Sequence, residues 1–344
     1  LKAEGYISDA AYCVSLKNVL CLAIMNGITS TTLISHEQKL SRSESAVIQC
    51  LLYFDVFQYP LTAAEILRFN DAVRDHQELT QTIRALLQKK LIREKEDYYF
   101  IHESEHIVDR RKKGNAMAAA MMPKAIRYGK FIARFPFVET VCISGGLSKN
   151  YVDEQGDVDF FIITKPQRLW LCRSLLVGFK KIFLLNSRKY FCVNYFVDSN
   201  NLSIPDRNIF TATEIATLIP VQNNGGYHQF MQENKWIFEL LPNAEVQPTP
   251  ALFHNRKNIL KKSGERLFNG NIGDFADKHL FKLTLKVWQK KFKHFSKDDF
   301  DLRMRSRKNV SKHHPGGFQE KVLNKLSAAQ DSFCKKHQIR FSDR

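Results

Sequence analysis

From Ser41 onward the apolar positions fall into blocks of helical period and blocks of strand period. Ser41-Arg-Ser-Glu44 has the spacing of a capping box and precedes the apolar run Ala46–Leu52, which predicts a first helix. Thr62 and Glu65 repeat that spacing after Gln58-Tyr-Pro60, with Leu61 and Ile66 placed as a hydrophobic staple, and predict a second. A third helix is read from Thr80 to Lys90, where Ile83, Leu86, Leu87 and Leu91 recur at helical intervals. The period then changes. Leu91–Ile101 has apolar ends around a charged centre and predicts two short strands with a turn near Glu96-Asp97. Residues 104–135 read as a mainly helical connection, with Arg110-Arg-Lys-Lys113 on a solvated stretch and strong helix formers from Ala116 to Met122 before Pro123.

The next block is β-branched and apolar. Phe137–Ile143 has strand length and runs into Ser144-Gly-Gly-Leu-Ser148; Asp157-Val-Asp-Phe-Phe-Ile-Ile-Thr164 is a second strand. Pro166–Leu185 predicts an amphipathic helix burying Leu169, Trp170, Leu175, Leu176, Phe179 and Phe183, and Tyr190–Val197 a third strand. Thr211-Ala-Thr-Glu214 has capping-box spacing and predicts a short helix towards Pro220, while Gly225-Gly226 reads as a turn rather than a phosphate loop. Residues 226–294 read as helices interrupted at Pro242 and Pro248-Thr-Pro250, with Trp236, Phe238, Leu240, Leu283, Leu285 and Trp288 as core residues. The chain is thus α+β, with four expected parts: an amino-terminal segment 1–40, a helical part with a hairpin at 41–104, a mixed α/β part at 105–222 and a helical part at 223–344.

Composition narrows the class. With 344 residues, 44% hydrophobic and 25% charged, the chain is neither disordered nor fibrous. Its seven cysteines form no C-x-x-C pair, which points to a reducing compartment. The apolar run Val19–Met25 is too short to span a bilayer, and acidic Glu4 and Asp9 precede it, unlike the basic start of a secretory signal. A cytoplasmic protein without a membrane partner is expected. The net charge of +17 is unevenly placed: residues 251–344 hold 23 Lys/Arg against 9 Asp/Glu. Lys282, Lys286, Lys290, Lys293 and Lys297 recur along one helical face and join Arg303, Arg305, Arg307 and Lys308, a density that suits a nucleic acid or a triphosphate. His313-His314 lacks spaced partners and reads as a turn.

The candidate chemistry lies between the strands. Side chains at i and i+2 of a strand share a face, so Asp157 and Asp159 project together, and such hard oxygen donors suit Mg²⁺. Gly145 and Gly146 let the backbone turn sharply and bring its N–H groups close to an anion, with the Ser148 hydroxyl beside them. A metal-binding carboxylate pair and a phosphate cradle on neighbouring strands describe a nucleoside triphosphate site.

On Gly145-Gly146, Ser148 and Asp157-Val158-Asp159, at an interval of 12 positions from first glycine to first aspartate, residues 115–198 resemble the DNA polymerase β-like nucleotidyltransferase superfamily. Residues 43–102, three short helices then a hairpin, resemble a winged helix, in which the third helix commonly enters the DNA major groove. Here Arg84, Lys89, Lys90, Arg93 and Lys95 are nearly balanced by Glu94, Glu96 and Asp97, which fits a packing or protein-contact module at least as well. The superfamily resemblance implies Mg²⁺-dependent transfer of a nucleoside monophosphate to an acceptor, with Asp157 and Asp159 as metal ligands, Gly145, Gly146 and Ser148 seating the phosphates, and a helical domain after the catalytic one. It also implies a third carboxylate on the next strand. Alternation places Cys192, Asn194, Phe196 and Asp198 on one face of that strand, so the mid-strand position is Asn194, and Asp198 stands roughly 13 Å further along. Three readings follow: a transferase with one ion on Asp157 and Asp159; a site completed by Asp198, Asp153 or Glu154; or a core that keeps the fold without transfer activity and binds nucleotide as a ligand. The competing class is a nucleic-acid-binding or regulatory protein acting through the winged helix and the basic end, with a vestigial transferase core.

Overall fold

The computed structural model describes residues 38–187, 189–222, 225–249, 258–313 and 315–343. The expectation for an amino-terminal segment therefore lies almost wholly outside the described residues, as do Pro250 and His314. Residues 39–344 form one compact unit.

The amino-terminal elements are α1 (Arg42–Asp55), β1 (Leu61–Thr62), α2 (Ala63–Phe69), α3 (His76–Gln88), β2 (Arg93–Lys95) and β3 (Tyr98–Phe100). Both expected capping boxes close: Ser41 with Glu44 and Thr62 with Glu65 exchange side-chain and backbone hydrogen bonds. The third helix starts four residues before Thr80 because Asp75 caps it, its carboxylate accepting from the Glu78 N–H. Glu96 and Asp97 both take positive φ in the hairpin turn, and the three strands pair in the order β1-β3-β2.

The helical connection expected at 104–135 is α4 (His106–Ile132), which contains Pro123 in its interior. Its basic run is not wholly solvated. Arg111 is buried, donates to the Glu65 carboxylate (2.6 Å) and the Pro60 carbonyl (2.8 Å), and lies 3.6 Å over the Tyr59 ring. This couples α4 to the amino-terminal helices.

The central sheet is built from β4 (Val138–Ser144), the single turn α5 (Gly145–Ser148), β5 (Asp159–Thr164), α6 (Leu169–Phe183), β6 (Cys192–Asp198), α7 (Ile209–Ala216) and β7 (Ile219–Gln222). Helix α8 (Gly226–Glu233) follows directly on Gly225, whose φ of 95° starts it, so the glycine pair opens a helix. Then come α9 (Ile259–Leu267), α10 (Gly270–Lys291), α11 (Lys297–Arg303), β8 (Ser306–Arg307), β9 (Val310–Lys312) and α12 (Phe318–His337). The six strands run β7-β4-β5-β6-β9-β8, with β5 and β6 parallel and the other pairs antiparallel. The molecule is a mixed α+β fold on a mixed sheet. The carboxyl-terminal part is not purely helical: β9 pairs with β6 and lengthens the same sheet.

Strand β5 is apolar on both faces because both are covered. Phe160 and Ile162 join Val141, Ile143, α4 and α6 in one core cluster, while Phe161 and Ile163 join Cys142 and the amino-terminal helices in the other. Two residues expected in the core stand in solvent instead, Phe183 at the end of α6 and Leu283 on α10.

Candidate active site

Strand β4 delivers Ser144 opposite Asp159, the first residue of β5. The chain then turns at Gly145, which takes φ +69°; a Cβ there would stand 2.7 Å from the Asp159 carboxylate. Only glycine satisfies both the left-handed backbone and this close approach. Gly146 is similarly confined, since its Cβ would meet the Tyr151 carbonyl at 2.8 Å. The Ser148 hydroxyl donates back to the Gly145 carbonyl (2.8 Å), so it locks the turn.

Asp157 and Asp159 both line one cavity of about 960 Å³, with Gly145, Gly146 and Asn194. Their carboxylates and the Cys192 thiol offer ligand atoms within 4.8 Å of one another. Burial first, and then the Asp157 charge, push the Asp159 carboxyl up to about 7. The Cys192 thiol is raised by burial and by the two aspartates, which keeps it protonated at neutral pH. The donor set therefore fits a hard divalent ion on carboxylate oxygen rather than a soft thiolate-bound metal.

The third position carries a correction. Strand β6 bulges opposite the step from Phe160 to Phe161: Val193 pairs with Phe160 and Tyr195 with Phe161, which leaves Asn194 as the extra residue. Simple alternation is broken there. Val193 and Phe196 both enter the core cluster of α4 and α6, on the side away from the cavity, so Phe196 does not share Asn194's face. Asn194 Nδ2 donates to Asp159 Oδ1 (3.0 Å) and lies 2.9 Å from the Cys192 sulfur. Asp198 is buried and accepts from the Gln167 (2.6 Å) and Asn200 (2.8 Å) backbone N–H groups, a structural role at the loop before α6. Of the other acids, Asp153 lines the cavity and Glu154 pairs with Lys113 at the surface.

Two cavity residues, Lys149 and Glu214, are not among the candidate site residues of the sequence. Lys149, directly after the glycine turn, donates to the Gly145 carbonyl (3.1 Å) and to Glu214 (2.8 Å). Glu214 is free to do so because α7 is capped by Asn208, which accepts from the Thr211 N–H, and not by Thr211. Its charge adds to the pressure on Asp159. Across the cavity Asp206 takes a bidentate hydrogen bond from Arg305 (2.7 Å each) with Lys312 at 3.7 Å. Phe57, Phe210 and Phe318 supply an apolar wall.

No family model, curated protein or solved structure matches the chain. The geometry has to speak for itself. It joins a pair of carboxylates, a glycine turn packed against Asp159, one cation beside that turn and a cavity whose volume suits a nucleotide-sized ligand.

Proposed function

We propose that the protein is a nucleotidyltransferase that takes a nucleoside triphosphate with Mg²⁺ on Asp157 and Asp159 and passes the nucleotidyl group to an acceptor held in the same cavity. The observation that carries this reading is the packing of Gly145 against Asp159 at the floor of that cavity. When bound, the ion would neutralise phosphate charge and polarise the reacting phosphoryl group. The turn at Gly145 and Gly146 brings the backbone against Asp159, where the phosphates would lie, Ser148 holds the turn, and Lys149 lies in reach as a counter-charge once it leaves Glu214. The aromatic wall is suited to the base or to the acceptor.

A second reading, nucleotide binding without transfer, is favoured by one observation: the side chain that meets Asp159 from the neighbouring strand is Asn194, where the superfamily resemblance leads one to expect an acid. Calorimetry with a nucleoside triphosphate and Mg²⁺ tests the shared core of both readings. We expect binding that disappears without Mg²⁺ and in Asp157→Ala/Asp159→Ala; equal binding by that variant refutes both. Pyrophosphate release then separates transfer from binding alone.

The amino-terminal order α1-β1-α2-α3-β2-β3 supports the winged-helix reading, as a packing module. Of the five cations named for it, two are tied to carboxylates: Lys89 with Glu44, and Lys95 beside Glu105 and Asp109.

A further inference from the structure

Among the described residues, nine of the eleven large apolar side chains that stand in solvent lie on three helices: Ile182, Phe183 and Leu185 at the end of α6, Ile259 and Leu267 on α9, and the rest on α10. On α10 they are ordered. Ile272, Phe275, Leu283 and Val287 are 64%, 64%, 60% and 54% exposed, while Gly273, Asp277 and Trp288 face the protein. At 100° per residue the exposed four fall within an arc of about 120°, centred about 130° from the buried three. Lys278 and Lys282 flank that arc and Lys286 and Lys290 stand within it, all exposed, and Lys293 follows just beyond the end of the helix. The helix's two acids do not offset them: Asp274 pairs with Arg168 (2.5 Å), and Asp277 is buried and accepts from the Leu171 N–H (2.8 Å).

We propose that the outer face of α10 is a peripheral membrane-binding surface for anionic phospholipid. An apolar stripe bordered by lysines is the pattern of a helix that lies in the headgroup layer, its hydrocarbon side chains in the acyl boundary and its ammonium groups on lipid phosphates. Charge decides against a second copy of this chain, since two such faces would oppose five lysines to five lysines with no carboxylate between them. The stripe decides against nucleic acid, whose phosphates would leave Phe275 and Leu283 without an apolar partner. Surface attachment needs no spanning segment, and no helix of the described residues is long and apolar enough to cross a membrane. Docking of this kind would be peripheral, and it departs from the expectation of a protein without a membrane partner.

The test is co-sedimentation of the full chain with phosphatidylcholine vesicles and with mixed phosphatidylcholine–phosphatidylserine vesicles. We expect at least about tenfold stronger partition onto the mixed vesicles, weakening with salt. Lys282→Glu/Lys286→Glu/Lys290→Glu should lose about a hundredfold or more, at about fivefold per lysine. Phe275→Ser/Leu283→Ser, with every lysine retained, should lose about tenfold or more from the buried apolar surface. Ile272→Ser/Val287→Ser repeats that measurement should the first pair disturb folding, which circular dichroism reads. Equal partition onto both lipids overturns the proposal, as does full binding by both serine pairs. Displacement of the protein from vesicles by equimolar duplex RNA would overturn it in favour of a nucleic-acid face.

Discussion

Asp159 carries a charge that its surroundings oppose. Its carboxyl titrates near 7 because burial and Asp157 oppose the charge. The sign follows directly. A carboxyl raised above its unfolded value contributes stability that is fully present below that unfolded value and is lost as pH rises through the folded one, here from about pH 4 to pH 7. Asp159→Asn, which keeps an oxygen to accept from Asn194, should therefore be more stable than the wild type at pH 8 in urea unfolding without metal, and about equal at pH 4. Mg²⁺ should raise the melting temperature of the wild type at pH 8 and leave this variant unmoved. Below pH 7 the proton competes for the same oxygens, so the wild type's Mg²⁺ affinity should fall by up to about tenfold per pH unit. Gly145→Ala meets a positive φ and the Asp159 oxygen together; we expect a loss of about 1–3 kcal/mol in the same unfolding measurement.

At the scale of elements, small polar ties decide where the strands end. The bulge at Asn194 turns β6 so that its amide, rather than Phe196 or Asp198, reaches the first residue of β5. Asn194→Asp places a carboxylate at that point. If transfer is limited by the missing charge, it should raise pyrophosphate release at saturating Mg²⁺ while lowering stability in its absence. A second tie joins the loop before α7 to the chain entering β8: Asp206 and Arg305 are both largely buried. Burial raises the Asp206 carboxyl, but the Arg305 hydrogen bonds and charge, with Lys312, outweigh it and hold it low. Asp206→Ala leaves a buried guanidinium without its partner and should cost about 3–5 kcal/mol, read by thermal unfolding.

Across the whole molecule, the carboxyl-terminal part completes the fold that carries the site. Strand β9 covers the edge of β6, and α12 adds Val322, Leu326 and Phe333 to the core beneath the amino-terminal helices. A chain ending at residue 304 would expose the β6 edge and lose that apolar cover. It should aggregate or unfold in size-exclusion chromatography, whereas a helical appendage would be removable. The charge on this part divides accordingly: Arg305 and Lys312 line or brace the cavity, and the lysines of α10 point outward.

Local patterns determined much of this protein directly. Ser41 with Glu44, Thr62 with Glu65, the turn at Glu96-Asp97 and the strand ending in Gly145-Gly146 depend on neighbours within a few residues, and such signals are written in the sequence; Asp157, placed in a strand by the same kind of pattern, instead precedes β5, which begins at Asp159. The cap of α7 was open to misreading because Asn208 and Thr211 both begin acceptable capping patterns, and packing chose the first. Nothing near Lys149 or Glu214 announces their pairing, since 65 positions separate them. Tertiary structure alone decided that Arg111 is buried, that residues 306–312 enter the central sheet, that a bulge replaces alternation in β6, and that Leu283 faces solvent. Each of these depends on which distant surface covers a residue, and periodicity records only that a surface is apolar, not what meets it.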